Sequence, residues 1–331
     1  MHQRTGLSTF VDAFVPEGLG VNETLERIDA MLDWERIGKV VAEIHAAPEG
    51  RPGYPPLTMV KIALLQQWYS ASDPAMEEAL RDRISFRRFV NLGWTDGTPD
   101  HSTISRFRKA LTERGLTERL FAEVNRQFEK QRLLVKQGTL LDATIVQAQA
   151  RRPSVEEGRG ARSTTDPDAG WTKKGGASHF GYKAHLGVDG ESGLIRKAEL
   201  TSANVNDTEV AEALVSGDEA AVYADKGYES KERRAGLKAR GIKDRIMHRS
   251  HKHQRALPHW QTRRNALIAP MRAPVEKVFG TLKRCYGYGR VRYMGLERNA
   301  TELWLKCIAY NLRRAARLLS ADVPALGRSA P

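Results

Sequence analysis

The chain has 331 residues, 40% of them hydrophobic and 28% charged, which is typical of a globular protein large enough for two domains. Its apolar runs are far shorter than the ~20 residues of a membrane helix, and its first residues lack the hydrophobic segment of a secretion signal. We therefore expect a cytoplasmic protein that does not enter a membrane. The two cysteines, Cys285 and Cys307, are too few for a zinc or disulfide framework, so we expect inert thiols.

The net charge of +13 is unevenly distributed along the chain. The stretch from Lys226 to Arg298 holds 20 of the 53 Lys and Arg residues but only 5 of the 40 Asp and Glu residues, so the excess positive charge lies in this stretch. Such a concentrated basic field predicts a polyanionic partner, most simply nucleic acid. A merely solvated surface is the alternative, but solvated faces usually mix both signs of charge.

The first 135 residues are predicted to form a helical domain for DNA binding or dimerisation, because apolar residues recur at spacings of three and four. Predicted helices begin after the cap Asn22, at Trp34, at about residue 57, at Asp73-Pro74 and at His101. The helix from Asp73 is expected to continue through Ile84 towards Val90.

The helix that begins at His101 carries two candidate DNA contacts, Arg106 and Arg108. Together with the helix before it, this segment could form a helix-turn-helix. The connector over 91–100 is longer than the usual turn of about 3–4 residues, so plain helical packing is the alternative interpretation.

From Gly138 onward, strand and helix patterns alternate. Strands are predicted at 139–146, 179–188, 194–201, 221–225 and 242–247, and helices after Asn206, up to about 240, at 274–286 and at 301–319. Residues 151–178, rich in Gly, Ser, Pro and charge, are predicted to be a mobile loop. This order predicts an α/β RNase H-like domain over 136–320, with a mixed five-stranded sheet and helices on both faces, and a tail over 321–331.

Three acids stand out, each in a different kind of element. Asp142 lies inside a predicted strand, Asp225 ends a buried strand, and Glu276 shares a helical face with Gly280 and Lys283. Each acid alone has an ordinary interpretation as a cap, a surface charge or an ion pair. Together they predict a site where carboxylates converge on divalent metal ions, as the cleavage of phosphodiesters requires.

The sequence around these acids is similar to three signature blocks of bacterial insertion-sequence transposases of the DDE type. The blocks are Leu-Leu-Asp142-Ala-Thr, Ala-Asp225-Lys-Gly-Tyr, and Arg272-x3-Glu276-x6-Lys283; Lys173-Lys174-Gly175-Gly176 and the segment from His179 to His185 add to the likeness. The resemblance is closest to the insertion-sequence-five family, with its Tyr-Arg-Glu-Lys signature, and covers roughly residues 5–318. The Tyr of that signature is replaced by Ala269 here, so a phosphate contact from that position is not expected.

The resemblance implies Asp142, Asp225 and Glu276 as catalytic metal ligands. It also implies two Mg²⁺ ions, which Mn²⁺ could replace, and Arg272 and Lys283 as contacts to DNA phosphates. Pro274 disfavours helical geometry at Ala273, so we expect Arg272 just outside the helix of Glu276. Further candidate DNA contacts are Lys226, Trp171, Arg290 and Arg292.

The implied partners are double-stranded DNA, as terminal inverted repeats and as target, and a second copy of the chain in a homodimer, in the bacterial cytoplasm at the nucleoid. Two other functions stay open: an RNase H-like nuclease without strand transfer, and a DNA-binding regulator derived from a transposase. The histidines His248, His251, His253 and His259 cluster in a basic loop, where DNA contact or exposure is favoured over a metal site.

Overall fold

A computed structural model of the chain describes residues 18–44, 52–151, 163–250 and 256–321, with the single residues 5, 6, 14, 16 and 153. The chain forms two compact units. The first comprises Met1–Gln131 with Trp304–Pro331, and the second comprises Arg132–Leu303. The described part contains no helix long and apolar enough to cross a membrane. The predicted tail at 321–331 lies outside the described residues, apart from residue 321.

The first unit is helical, as the apolar spacing predicts. Its helices are α1 (Glu23–Met31), α2 (Trp34–Val41), α3 (Pro56–Tyr69), α4 (Asp73–Asp82), α5 (Ile84–Phe89), α6 (His101–Glu113) and α7 (Leu116–Lys130). The Asn22 side chain accepts from the backbone amide of Leu25 and begins α1. The Asp100 side chain begins α6 in the same way, and the bonds it accepts lower the pKa of this carboxyl to about 2.

The predicted helix from Asp73 to Val90 is in fact two helices. Its cap is Ser72 rather than Asp73, and it stops where Arg83 takes an extended backbone conformation before α5 begins. Arg87 donates to the carbonyl oxygens of Gly93 and Asp96, so the following connector folds back onto α5. The break between α4 and α5 is accompanied by these hydrogen bonds from Arg87 to the connector. Apolar periodicity does not reveal such bonds.

The last helix explains why the units divide at Leu303. It is α12 (Leu296–Ala321), 26 residues long without a break. From Trp304 onward its side chains pack in the first unit: the Trp304 ring lies 5.0 Å from that of Phe121, and Trp68 donates to the Ala309 carbonyl at 2.8 Å. The predicted catalytic domain instead extends to residue 320, because helical spacing does not show which core a helix joins.

The second unit is built on a mixed sheet. Its strands are β1 (Thr139–Gln147), β2 (Gly170–Lys174), β3 (Ala177–Asp189), β4 (Ile195–Ser202), β5 (Ala221–Ala224) and β6 (Lys243–Ile246). β3 pairs antiparallel with β1, β2 and β4, whereas β5 lies parallel to both β1 and β6. An antiparallel meander that continues into parallel strands fits an RNase H-like fold, behind a helical N-terminal unit.

The prediction of five strands is wrong by one. The additional strand is β2, which lies within the stretch 151–178 that was expected to be a mobile loop; residues 152 and 154–162 of that stretch are outside the described residues. β2 and the start of β3 form a hairpin around Gly175 and Gly176, both with positive φ. Its residues are polar and exposed at one end, so they lack the apolar alternation by which a strand is recognised.

The helices of the second unit are α8 (Asp207–Val210), α9 (Lys231–Ala239), α10 (His259–Ile268) and α11 (Ala273–Cys285), besides the start of α12. The apolar side chains of α8, α9, β5 and β6 form a core cluster with Leu141 of β1. The helix α10 was not predicted, because its exposed residues show no apolar face.

Candidate active site

The parallel pairing of β1 with β5 brings two of the candidate acids together. Leu140 pairs with Tyr223, and Asp142 and Asp225 each follow two residues later, Asp225 just beyond the end of β5, where its charge acts on Asp142. Neighbouring strands lie ~4.8 Å apart, so both carboxylates face one region of the sheet edge. Because β5 ends directly before Asp225, polar groups can collect where the strand stops.

Asp142 is a carboxylate with little access to water. Its side chain is 23% exposed, one oxygen accepts from the amide of Ala143 at 2.9 Å, and the other lies 3.3 Å from Nη2 of Arg272. Burial raises its pKa and the charge of Asp225 adds to this rise, although Arg272 acts in the opposite direction. A buried carboxylate beside a second one is a group that an added cation would stabilise.

Asp225 is held by the turn that follows its strand. Its Oδ1 accepts from the amide of Gly227 at 2.7 Å, which begins a 3₁₀ turn over Lys226–Tyr228. The Tyr228 hydroxyl is buried and has no hydrogen-bond partner among the described residues. Burial raises the pKa of Tyr228, and the charges of Asp207, Asp142 and Asp225 raise it further. A buried hydroxyl therefore lies near both candidate acids, which the sequence analysis missed.

Glu276 stands apart from the two aspartates. It lies in the first turn of α11, is exposed, and makes no ion pair or side-chain hydrogen bond among the described residues. In that part of the chain, no group of three His, Cys, Asp or Glu side chains lies close enough to hold a metal ion. The structure thus brings together Asp142 and Asp225, and Glu276 is on the helix that supplies their neighbouring cations.

Three cations lie near β1, the strand that carries Asp142. Arg272 is the N-cap residue of α11, as expected for a position just outside the helix, yet Ala273 is helical despite the proline after it. Lys283, two turns beyond Glu276, donates to the Ile145 carbonyl of β1 at 3.0 Å. Lys174 of β2 is near enough to act electrostatically on both Asp142 and Lys283, and it helps burial to lower the pKa of Lys283.

Lys174 was quoted in the sequence analysis only as part of a motif. Its place in the site follows from β2, the strand that was expected to be a loop. The signal that could have found it is the Gly175-Gly176 pair, which is typical of a hairpin turn and would have predicted strands on both sides.

The other candidate DNA contacts of this unit differ in their exposure and in their partners within the protein. Lys226 and Arg290 are exposed, and Arg290 lies where the chain after α11 pairs with the end of β1. Arg292 instead lies 3.5 Å from the carboxylate of Glu302. Trp171 is half-buried and packs on Phe180, with ring centroids 5.2 Å apart.

In the first unit, the candidate contacts on α6 are engaged within the protein. Arg108 is largely buried and donates to both oxygens of Asp73 at 2.8 and 2.6 Å. Arg106 donates to Ser102 and Thr103 of its own helix. The ion pair of Arg108 ties α6 to α4, which is helical packing rather than a surface prepared for DNA.

Of the four histidines in the basic stretch, two fall on residues outside the described part, His251 and His253. His248 pairs with Glu229 at 3.0 Å and stacks edge-on against Trp260. His259 is exposed at the start of α10.

Residues 133–312 match the family described as the transposase DDE domain, and residues 11–110 match a second one described as a transposase domain. The chain belongs to the transposase DDE domain family. Membership implies phosphodiester cleavage and transesterification on DNA, and such transposases generally use divalent metal ions. The match spans the sheet, the two aspartates and α11.

Solved structures of other transposases are similar to this transposase at low identity. The synaptic complex of piggyBac transposase with hairpin DNA has a TM-score of 0.42 and 10% identity, over 89% of this chain and 73% of that chain. The Mos1 strand transfer complex has a TM-score of 0.19 and 11% identity, over 78% of this chain and 85% of the other. A pre-cleavage Mos1 transpososome has a TM-score of 0.20 and 10% identity, over 93% and 100%.

The transposase offers a divalent ion a suitable but incomplete set of donors. Carboxylate oxygens are the ligands that Mg²⁺ prefers. The pKa of Asp142 is raised because burial destabilises its ionised form, and a bound cation would stabilise that form. Arg272 supplies some positive charge, and Glu276 lies outside the pair. The two aspartates therefore fit a metal, and a third ligand requires Glu276 to approach them.

Proposed function

We propose that this transposase belongs to the insertion-sequence-five group, cuts DNA at the terminal inverted repeats of its own element, and joins the cut ends to target DNA. Asp142, Asp225 and Glu276 are the proposed catalytic ligands of two Mg²⁺ ions. When bound, the ions would supply activation of the attacking oxygen and stabilisation of the leaving oxygen. Water is the nucleophile of the first step and the DNA 3′-hydroxyl that of the second.

The observation that carries this proposal is the pair of aspartates on adjacent parallel strands, inside a chain that matches the DDE domain. Their own task is to hold a concentrated negative charge that favours divalent cations. Arg272 shields Asp142 in the absence of metal, and its guanidinium is suited to a DNA phosphate once the carboxylate has another partner.

Other residues have proposed roles in holding DNA. Lys174, which acts electrostatically on Asp142, and Lys283, which bonds to the strand of Asp142, would contact phosphates near the cut, where burial in a complex strengthens each charge. Exposed Lys226 and Arg290 would extend this contact along the duplex. The proposed assembly is a homodimer that bridges two element ends, with the helical first unit as the DNA-binding or dimerisation domain and the second unit as the catalytic domain.

The test is cleavage of a duplex that carries the short inverted repeats found in the DNA flanking the gene. We expect Mg²⁺-dependent nicking by the wild-type chain and its loss in each of Asp142→Asn, Asp225→Asn and Glu276→Gln. The matched control is Glu191→Gln, an exposed carboxylate in the turn between β3 and β4. Cleavage retained by all three variants would refute the assignment.

A second measurement separates transposition from simple nuclease activity. Cut ends are incubated with a supercoiled plasmid, and joined products are sequenced at the junction. Capture of ends in the plasmid supports transposition. Cleavage without capture would favour the nuclease, and metal-independent binding without cleavage would favour a regulator derived from a transposase.

A further inference from the structure

The first unit contains a pocket whose walls are rich in arginine. It has a volume of about 290 Å³ and lies among the start of α1, the end of α3 and the last turns of α12. Its polar lining comprises Asn22, Thr24, Arg27, Tyr69, Arg313 and Arg317, and we call it the arginine pocket. A water molecule occupies ~30 Å³ of liquid, so the pocket is large enough for a phosphate and part of its sugar.

Among the residues that the structure describes, no carboxylate lines the arginine pocket. Arg27 has an exposed ion pair with Glu23 at 2.7 Å, and such a pair contributes little in water. Arg317 is exposed and makes no ion pair within the described part of the chain. Between residues 304 and 321, α12 contains Lys and Arg but no Asp or Glu. The pocket therefore combines three guanidinium groups with a helix whose charged residues from 304 to 321 are all basic.

Aromatic rings hold the cations on one side of the pocket. The Arg313 guanidinium lies 5.6 Å from the Trp68 ring and 5.8 Å from the Tyr69 ring. Arg83, an exposed residue without an ion pair among the described residues, lies 5.6 Å from the same Tyr69 ring. Stacking on a ring orients a guanidinium, and in exposed Arg83 it leaves the N–H groups and most of the charge for an anion.

This arrangement differs from that of α6, where the sequence predicted DNA contacts. The charge of Arg108 is neutralised by Asp73, whose carboxylate accepts two hydrogen bonds from it, and Arg106 donates to its own helix. Arg83 and Arg317 have no such partners in the described ranges. Within the first unit, the arrangement that can receive an anion is the arginine pocket rather than α6.

We propose that the arginine pocket, with Arg83 at its edge, binds a backbone phosphate of double-stranded DNA. Arg317 and Arg27 contact the phosphate oxygens from α12 and α1, because a planar guanidinium matches two phosphate oxygens at once. Tyr69, Asn22 and Thr24 supply further polar groups for the sugar-phosphate chain. The inference rests on the proposed function, since it takes DNA as the partner.

The experiment measures affinity of the full chain for a fluorescent duplex of arbitrary sequence at several NaCl concentrations, with EDTA present. Loss of one phosphate contact lowers affinity about tenfold near 0.1 M salt and lowers the slope of log affinity against log salt by about 0.9. We expect this of Arg317→Ala and of Arg83→Ala, and roughly twice the change in slope from both together. Arg317→Lys, which keeps the charge, should restore most of the slope.

The matched control is Arg119→Ala, an exposed arginine of the same unit that pairs with Glu43. It removes the same net charge away from the pocket, so a larger effect of the pocket variants cannot arise from net charge. Circular dichroism and thermal unfolding check that each variant is folded; exposed Arg317 is the safer position if Arg83→Ala disturbs the rings. Pocket variants that behave like Arg119→Ala overturn the proposal.

A second arm distinguishes DNA phosphate from free phosphate. We expect calorimetry to detect no binding of inorganic phosphate at phosphate concentrations below the millimolar range. Tight binding of inorganic phosphate that Arg317→Ala abolishes, together with unchanged DNA affinity, would overturn the DNA assignment. Because EDTA removes metal ions, this assay measures binding without cleavage, so failure here is separate from failure of the proposed catalysis.

Discussion

Two groups of charged residues in the second unit behave in opposite ways. One is the strand-end site of Asp142 and Asp225. The other, which we call the closed charge cluster, consists of Glu229, Arg234, Asp244, His248 and Arg264, close to β6 and α10. Burial works against ionisation in both groups, and only their partners differ.

In the closed charge cluster, every acid meets several donors. Although burial opposes it, the amide of Arg249, His248 and Arg234 together hold the pKa of Glu229 below its usual value. At the strand-end site, burial and Asp225 together raise the pKa of Asp142 against a single ion pair with Arg272. A cluster of charges with several partners stabilises the fold, whereas a pair of acids with fewer partners is a candidate ligand site.

The largest expected effect is on the rate of DNA cleavage, in which the strand-end site and the closed charge cluster should differ. Asp225→Asn should lower DNA cleavage at least about a thousandfold, because the pair loses the charge that favours divalent ions. Asp244→Asn should leave cleavage per folded molecule within about threefold, because its partners Arg234 and Arg264 serve the fold. Initial rates of nicking, normalised to the folded fraction, check both. A thousandfold loss in the Asp244 variant would erase the distinction.

A second effect concerns His185, a buried residue of β3 whose Nε2 lies 2.9 Å from the Thr201 hydroxyl. Burial lowers its pKa from 6.5 to about 4, against the opposing charge of Asp207, while Lys183 acts with burial. The unfolded chain therefore binds more protons between these two values. The free energy of unfolding should be intact above about pH 6.5 and fall by about 3 kcal/mol as the pH drops to about 4.

Denaturant unfolding across this pH range measures the effect of His185. The control variant His185→Gln cannot be protonated, so its free energy of unfolding should depend less on pH over the same window. An unchanged pH profile in that variant would assign the acid sensitivity to other groups.

The third effect tests the closed charge cluster itself. Arg234→Ala removes a side chain that is 20% exposed and pairs with both Glu229 and Asp244. The free energy of unfolding should fall by about 2 kcal/mol, because two partly buried acids lose their common partner. Exposed Arg290→Ala should change it by less than about 0.5 kcal/mol. Equal stabilities of these two variants would contradict the cluster's structural role.

The smallest expected effect is the stabilisation of the folded chain by Mg²⁺ at the strand-end site. Mg²⁺ at ten times its dissociation constant should stabilise the wild-type chain by about 1.4 kcal/mol, because the ion binds the folded site and not the unfolded chain. Asp142→Asn should lose this stabilisation, and Asp244→Asn should keep it. Thermal unfolding with and without Mg²⁺ measures the difference, and a Mg²⁺ shift that survives in Asp142→Asn would place the ion elsewhere.

Local patterns were sufficient for most elements. The cap Asn22 and the start at His101 were predicted where helices begin, and the strand of Asp142 and the strand before Asp225 were predicted within one or two residues. The failures have a common cause. β2 and α10 are exposed and show no apolar periodicity, so tertiary pairing or packing stabilises them and their own sequence gives little signal.

For the site, the sequence indicated the three acids and the cations Arg272 and Lys283, and their catalytic assignment remains a prediction. It did not indicate Lys174, because that residue reaches Asp142 through the pairing of β2. The helix pattern also suggested Arg108 as a DNA contact. Its guanidinium instead donates to Asp73, 35 positions earlier in the chain.

By itself, the sequence determined the helical first part, the alternation of strands and helices that follows, and the family to which the chain belongs, because periodicity, caps and motif spacing are local properties. The tertiary structure decided which charges have partners. It brings Asp142 and Asp225 to neighbouring strands and pairs Arg234 with Asp244. It also pairs Arg108 with Asp73, and it leaves Arg317 exposed at the arginine pocket. The physical reason is that the energy of a charge depends on burial and on neighbours that are distant in the chain.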